Sequence, residues 1–185
     1  MEQKKLRFAL IVCVVIFVIA GILCSVFSKD DTVSWSPKKG SRVVISEIMS
    51  DNLTYPAPNG KYLDFIEVRN LSAEPVDISK YSLADKPDAI GFTFPDGTII
   101  PGYGYAVCWC DKSAASDEYA NFGISKDGGE AIYLYNRANV LVDEVVVPFL
   151  NANTSLIREN DTIWEVSEAP SPGYPNTAQD RKSVV

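Results

Sequence analysis

The sequence predicts an all-β protein, a two-sheet β-sandwich preceded by one N-terminal transmembrane helix. From residue 42 onward, short apolar or alternating runs are separated by turn residues, which is typical of a sandwich. The 11 Gly and 11 Pro residues suit a turn-rich β protein. The one long apolar segment covers residues 8–27, and no helical period follows residue 28.

The N-terminal segment has the length and flanks of a membrane anchor. Residues 1–7 are basic, and residues 8–27 carry no charge. Twenty helical residues span about 30 Å, the thickness of the hydrocarbon core of a bilayer. Because basic residues stay inside, the N-terminus is expected in the cytoplasm and the domain outside the cell, on a single-pass protein of the cytoplasmic membrane. A cleaved signal peptide is the alternative, although the apolar run is long and residues 26–28 form a weak cleavage site. Both interpretations export the domain.

Turn residues divide the remaining chain. Residues 28–41 are polar, contain Pro37 and Gly40, and are expected to be a linker. Trp35 in this linker is either an interfacial anchor or an ordinary linker residue. The β-sandwich is expected over residues 42–176, and residues 177–185 form a C-terminal tail.

Nine segments of the domain have strand character. Period-two alternation is clearest at Leu63–Asn70, and Tyr103–Cys110 is apolar on both faces, which predicts an interior strand. The segments on either side of Asn136–Asn139 predict a hairpin. The remaining predicted segments are Val43–Met49, Val76–Leu83 with a break at Ser79-Lys80, Ile90–Phe94, Ala131–Tyr135, Val140–Val147, Ser155–Arg158 and Thr162–Val166.

Composition argues against several classes of function. The chain has no histidine, which excludes Ser-His-Asp and Cys-His catalysis and every zinc site that contains histidine. Its 17 basic and 24 acidic residues give a net charge of −7, which argues against a nucleic-acid partner. No serine lies in a Gly-x-Ser-x-Gly turn. We therefore expect no enzymatic activity, no catalytic residues and no cofactor.

Acidic residues supply two weak candidate sites. Glu47 and Glu67 lie in two early strands and could form a carboxylate pair for acid/base chemistry. Edge positions beside Arg69 or a lysine explain them equally well, and a structural role is the preferred interpretation. Oxygen ligands for Ca²⁺ could come from loop residues, but their spacing is not that of an EF-hand and solvated turns are the simpler interpretation. These residues are Asp85, Asp88, Asp127 and Glu130.

Aromatic residues and cysteines supply the other candidates. Exposed on one face, aromatic rings could stack on sugars, whereas the alternative is that they fill the core. The candidates for this role are Tyr103, Tyr105, Trp109 and Trp164. Cys108 and Cys110 are expected on the same face of one strand, where they are poorly placed for a mutual disulfide. Packed free thiols, a metal site with two further ligands, and a bond to another chain are the three interpretations.

Six motifs in order resemble the bacterial lamin tail domain family. They are Val44–Met49, Asp64–Asn70, Val76–Leu83, Phe94–Tyr105, Asn121–Glu130 and the proline-rich Glu168–Asn176. The resemblance implies an immunoglobulin-like β-sandwich without catalytic residues, used for binding or scaffolding. Phe65 stands where many members carry Trp, and Cys108-Trp-Cys110 is not a family motif.

We therefore expect a surface-displayed, non-catalytic binding or scaffolding module, held in the membrane by residues 8–27. Its first expected partner is a protein, captured by strand addition at a long uncovered sheet edge. A module that binds polysaccharide or cell-wall glycan is the alternative, which predicts two or three coplanar exposed aromatics. A further alternative is the targeting part of a larger exported enzyme, for example a CotH-type kinase or a hydrolase.

Overall fold

The computed structural model describes residues 37–113, 116–160 and 162–176. All of these described residues belong to one compact unit. The predicted transmembrane helix over residues 8–27, the cytoplasmic tail over 1–7 and the C-terminal tail over 177–185 lie outside the described residues. Within the described ranges, no helix has the length and apolarity needed to cross a membrane.

The described residues form eleven β-strands and no helix, which confirms the all-β prediction. In chain order they are β1 Val43–Met49, β2 Asp64–Asn70, β3 Val76–Asp77, β4 Ser82–Ala84, β5 Phe92–Thr93, β6 Ile99–Ile100, β7 Tyr105–Cys110, β8 Ala131–Tyr135, β9 Leu141–Val146, β10 Ser155–Arg158 and β11 Trp164–Ser167. The predicted hairpin is β8–β9, and the predicted break at Ser79-Lys80 separates β3 from β4, with Lys80 at φ +63°.

Two antiparallel sheets form the sandwich. The first has five strands in the order β11-β10-β1-β2-β7, and the second has four in the order β5-β4-β8-β9. A small pair, β3–β6, lies beside them. Side chains that point inward from both sheets make one buried hydrophobic core, and each buried aliphatic side chain contributes about 1.5–3 kcal/mol. Its fully buried members include Ile45, Ile48, Ile66, Leu83, Ile132, Leu134 and Val145.

The prediction that Tyr103–Cys110 is an interior strand is wrong. The strand begins at Tyr105, and β7 is the outermost strand of its sheet. Its inner face is buried, because Cys108 and Cys110 point into the core, and its outer face is half-buried, where the Trp109 ring packs edge-on against Phe65 at 5.4 Å. The end of the strand is also covered by Ala120, whose N–H donates to the Trp109 carbonyl.

A β-bulge in β1 links the two sheets. The register with β2 shifts between Ile45 and Glu47, so Ser46 is the extra residue. The Ile45 N–H donates to Asp143 Oδ2 of β9 at 2.8 Å, and Arg158 Nε of β10 donates to the Ile45 carbonyl at 2.7 Å. Arg158 and Asp143 also form a buried ion pair. Burial raises the pKa of Asp143 although Arg158 opposes that shift, so this carboxyl depends on its polar partners.

Candidate functional site

A buried carboxylate pair lies at the centre of the five-stranded sheet. Glu47 of β1 is directly opposite Glu67 of β2, and both side chains are fully buried. They lie on the face turned away from the sandwich core, because Ile48 and Ile66 beside them point inward. The predicted edge positions are wrong, since β1 and β2 are interior strands.

The C-terminal strap, residues 168–176, covers this carboxylate pair. The Ser171 N–H donates to Glu47 Oε1 at 3.1 Å, and the Gly173 N–H donates to Glu67 Oε2 at 2.7 Å. Beyond them, Asn176 Nδ2 donates to the buried Ser46 carbonyl at 2.8 Å. A proline-rich segment makes few backbone bonds of its own, so its free N–H groups are available to carboxylates. The pair therefore fixes the strap on the sheet.

Hydrogen-bond donors reach all four oxygens of the pair. Ser46 Oγ donates to Glu67 Oε1 at 2.6 Å, and Ser155 Oγ donates to Glu47 Oε1 at 2.5 Å. Glu47 Oε2 accepts weaker bonds from Ser171. Burial raises the pKa of Glu67 to about 8, and the nearby Glu47 adds to the shift. Burial also raises the pKa of Glu47. The raised pKa favours the protonated form of Glu67 at neutral pH, and both side chains are fully buried, so the pair presents no oxygen to solvent.

A second feature, the edge groove, opens between the two sheets. It is a cavity of about 560 Å³ at the side of the sandwich where β9 and β11 are the outermost strands. Apolar side chains dominate its walls. The first wall holds Val146, Val147 and Pro148 with Gly129, and the second holds Leu156, Trp164 and Val166 with Thr162. Sequence reasoning missed this groove, and the exposed Val166 is the one lining residue that reaches the surface of β11 as a large apolar side chain.

Comparison with known families decides what kind of domain this is. The lamin tail domain family matches residues 36–148, which is more than half of the chain.

The chain belongs to the lamin tail domain family.

No curated protein matches the chain. Membership confirms the resemblance found in the sequence, and the observed two-sheet architecture is consistent with the immunoglobulin-like fold of this family. It indicates a non-catalytic binding module. The family match covers β1 to β9 and the first wall of the edge groove, whereas β10, β11 and the strap follow it in the chain. In this lamin tail domain the strap and the second wall are thus built from residues beyond the match.

The four candidate aromatics do not form one platform in this lamin tail domain. Tyr103 precedes β7 and is exposed, with φ +56°. Tyr105 and Trp109 share one face of β7, where the Arg69 guanidinium lies 5.5 Å from the Tyr105 ring. Trp164 lies at the opposite edge of the same sheet, and its ring is 4.3 Å from the Arg158 guanidinium. A sugar could contact only part of this set.

The candidate calcium ligands of the lamin tail domain lie in two loops. Asp85 and Asp88 follow β4, and the Asp88 N–H donates to the Tyr135 hydroxyl at 3.0 Å. Asp127 and Glu130 precede β8, and Glu130 accepts a hydrogen bond from the Ser125 N–H. Across the described part of the chain, no three His, Cys, Asp or Glu side chains are grouped as metal ligands.

The two cysteines of the domain are packed free thiols. Cys108 and Cys110 point to the same face of β7, as predicted, and both are buried in the core. The hydrogen bond with Cys108, followed by burial, raises the pKa of the Cys110 thiol well above its usual range. A neutral, enclosed thiol is a poor nucleophile and a poor metal ligand, so packing is the role that the structure supports.

Proposed function

We propose that this lamin tail domain is a non-catalytic module, displayed outside the cell by an anchor in the cytoplasmic membrane, that holds a protein partner. The observation that carries the proposal is the edge groove, an apolar cleft with an outermost strand on each side. Exposed apolar clefts beside unpaired strands are the surfaces that polypeptide ligands use. The anchor is residues 8–27, whose uncharged length and basic flank support it.

The carboxylate pair supports binding over catalysis. General acid/base chemistry requires a carboxyl within hydrogen-bond reach of a substrate. Glu47 and Glu67 instead accept hydrogen bonds from the strap and from serines, and both are fully buried. Their raised pKa values follow from burial, which structural carboxyls share with catalytic ones.

A glycan-binding module is the second candidate, supported by a different depression. A cavity of about 750 Å³ beside the edge strand β5 has a mixed lining. Its polar residues include Lys80, Asp96 and Asn121, and Tyr119 supplies an aromatic ring. Polar groups beside an aromatic ring are what a sugar requires, whereas the edge groove offers few hydrogen-bonding groups.

Capture from treated envelope extracts tests the proposal. Full-length protein in detergent is mixed with a solubilised envelope fraction that is intact, digested with protease, or digested with a glycan hydrolase. Saturable capture that protease removes and glycan digestion preserves is the expected result. The reverse pattern favours the glycan module, with Tyr119→Ala as the variant that weakens it. An absence of saturable capture from the intact fraction overturns both.

Labelling in intact cells tests the display outside the membrane. Ile99 is 60% exposed on β6 and lies outside the edge groove. An Ile99→Cys variant is expected to react with a membrane-impermeant maleimide, whereas a Gln3→Cys variant is expected to react only after the cells are opened. Each variant is compared with the unaltered protein, which carries Cys13 and Cys24 in the proposed anchor and the buried Cys108 and Cys110. Labelling at position 3 in intact cells would contradict the proposed orientation.

A further inference from the structure

We propose that the edge groove takes an extended segment of a partner protein that alternates apolar and basic residues, paired as an added strand on β11. The inference rests on the proposed function and names the chemistry of the partner. It follows from the backbone direction of β11, the two faces of that strand, and the charge around it.

The backbone of β11 is open for strand addition. The Glu159 N–H donates to the Ile163 carbonyl at 3.0 Å, which fixes the hydrogen-bonding phase of the β10–β11 ladder. In that phase Trp164 is opposite Arg158, and Val166 is opposite Leu156, in non-hydrogen-bonded pairs. The backbone N–H and C=O groups of Trp164 and Val166 therefore point away from β10. Within the described residues, these outward groups have no backbone partner. An incoming strand can bond to both.

The opposite wall of the groove is less open. On β9, the Val142 carbonyl already accepts a hydrogen bond from the Lys38 N–H at 2.9 Å. The Glu144 N–H donates to Asp143 Oδ1 at 3.0 Å. Two of the outward positions on β9 are therefore occupied, and β11 is the edge where a continuous ladder can form.

The two faces of β11 set the pattern of the incoming segment. The side chains of Trp164 and Val166 line the groove, and Glu165 between them points to the other face, where it is exposed. The side chains of an added strand alternate between the same two faces of the sheet. Every second side chain lies beside Val166 in the groove, and the side chains between them lie beside Glu165. Apolar side chains fill the first positions, and basic side chains pair with the carboxylate at the second.

Charge favours a basic partner over a second copy of this chain. The exposed or partly exposed charges on β9 and β11 are Glu144 and Glu165. The Arg158 guanidinium, which lies over the Trp164 ring, is buried in its ion pair with Asp143. Three basic and one acidic residue precede residue 29, so residues 29–185 carry 14 basic and 23 acidic residues. Antiparallel pairing of β11 with its own copy brings Glu165 near a second Glu165, which is unfavourable. A basic segment is attracted to the same edge.

Peptide binding to full-length protein in detergent tests the inference. The probe is a fluorescent peptide of alternating valine and lysine, and the comparison peptides replace lysine with glutamate or carry N-methyl groups on alternate amides. We expect saturable binding of the valine–lysine peptide, at least about tenfold tighter than either comparison peptide, since tenfold corresponds to about 1.4 kcal/mol. Equal binding of the N-methylated peptide would overturn strand addition.

Matched variants locate the binding. Val166→Lys in the groove is expected to abolish peptide binding, whereas Ile99→Lys, at a residue of similar exposure on β6, is expected to leave it unchanged. Glu165→Lys is expected to favour the valine–glutamate peptide. Peptide binding that survives Val166→Lys, no binding by the unaltered protein, or self-association that Val166→Lys prevents would each overturn the inference. Envelope capture by the Val166→Lys variant separates the two proposals. If this variant still captures a protease-sensitive partner, the proposed function stands and the groove is rejected as the binding surface.

Discussion

Replacement of Glu67 by glutamine is expected to flatten the dependence of stability on pH. The Glu67 carboxyl has a pKa of about 8 in the folded protein, against an ordinary value of 4.5. The folded state therefore binds this proton more tightly than the unfolded chain does. Its contribution to stability is complete below pH 4.5 and is lost as the pH rises toward 8. Glutamine removes the proton while keeping an oxygen for the Gly173 N–H and a nitrogen that can donate to Ser46.

The size of the effect follows from the pKa interval. One pKa unit is worth about 1.4 kcal/mol, so the free energy of unfolding of the unaltered protein is expected to fall by roughly 3 kcal/mol between pH 5 and pH 8 because of this group. Glu47, Asp64 and Asp143 add slopes of the same sign, since burial raises each of their pKa values. Comparison of Glu67→Gln with the unaltered protein isolates the Glu67 part.

Denaturant titration of residues 29–185 at a series of pH values, followed by tryptophan fluorescence, measures this difference. We expect the free energy of unfolding of Glu67→Gln, relative to that of the unaltered protein, to rise by roughly 3 kcal/mol between pH 5 and pH 8. Arg69 on β2, the exposed Glu165 on β11 and the exposed Glu168 of the strap are the other charges on this face, and they remain in both proteins. Parallel pH profiles for the two proteins would refute the claim that the folded state binds the Glu67 proton more tightly than the unfolded chain does.

Three further predictions concern the strap, the core and the thiols. Asp143→Asn leaves the buried Arg158 without its carboxylate, so we expect denaturant titration to show a loss of about 3–5 kcal/mol in the free energy of unfolding. The control is Asp77→Asn, which breaks the exposed ion pair with Arg137, and an equal loss there would contradict the role of burial. Asn176→Ala removes the donor to the buried Ser46 carbonyl, so we expect the free energy of unfolding to fall by about 1–3 kcal/mol and proteolysis within the strap to become faster. An unchanged rate of cleavage would contradict the observed packing. In residues 29–185, both cysteine thiols are expected to react with a disulfide reagent only after unfolding, and rapid reaction of the native domain would contradict their burial.

The strand pattern of this domain was largely readable from its sequence. Alternation at Leu63–Asn70 and turn residues at Asn136–Asn139 are local signals, and they predicted β2 and the β8–β9 hairpin correctly. The position of a strand within its sheet is not local. Residues 105–110 are apolar on both faces, which suits an interior strand equally well, so the place of β7 at the edge could not be read from them.

The carboxylate pair illustrates why the site was harder to predict. Glu67 lies between Ile66 and Val68, Glu47 lies between Ser46 and Ile48, and a strand with a charged residue usually exposes it. Their burial depends on the strap, which lies more than a hundred residues away in the chain. The bulge at Ser46 also sets which face Glu47 occupies, and no residue type marks it. The burial of these side chains depends on a segment that is distant in the sequence, and the hydrophobic periodicity of the strands does not predict that segment.

The edge groove escaped prediction for a similar reason. Its two walls come from β9 and from β10–β11, and neither segment reveals that the other leaves its side of the sandwich open. The exposed Val166 was predicted as part of a strand but not as a surface residue. Strand addition was expected at a long uncovered edge, whereas the open edge beside the groove, β11, has four residues.

Site-specific photo-crosslinking in intact cells tests whether the edge groove is the surface that binds a protein partner. A photoreactive amino acid is placed at Val166 in the edge groove or at Ile99 on β6, two exposed positions on different strands. We expect a discrete, protease-sensitive adduct from position 166 that position 99 does not give. Adducts of equal yield from both positions, or an adduct from position 99 alone, would contradict the assignment of the groove as the partner-binding surface.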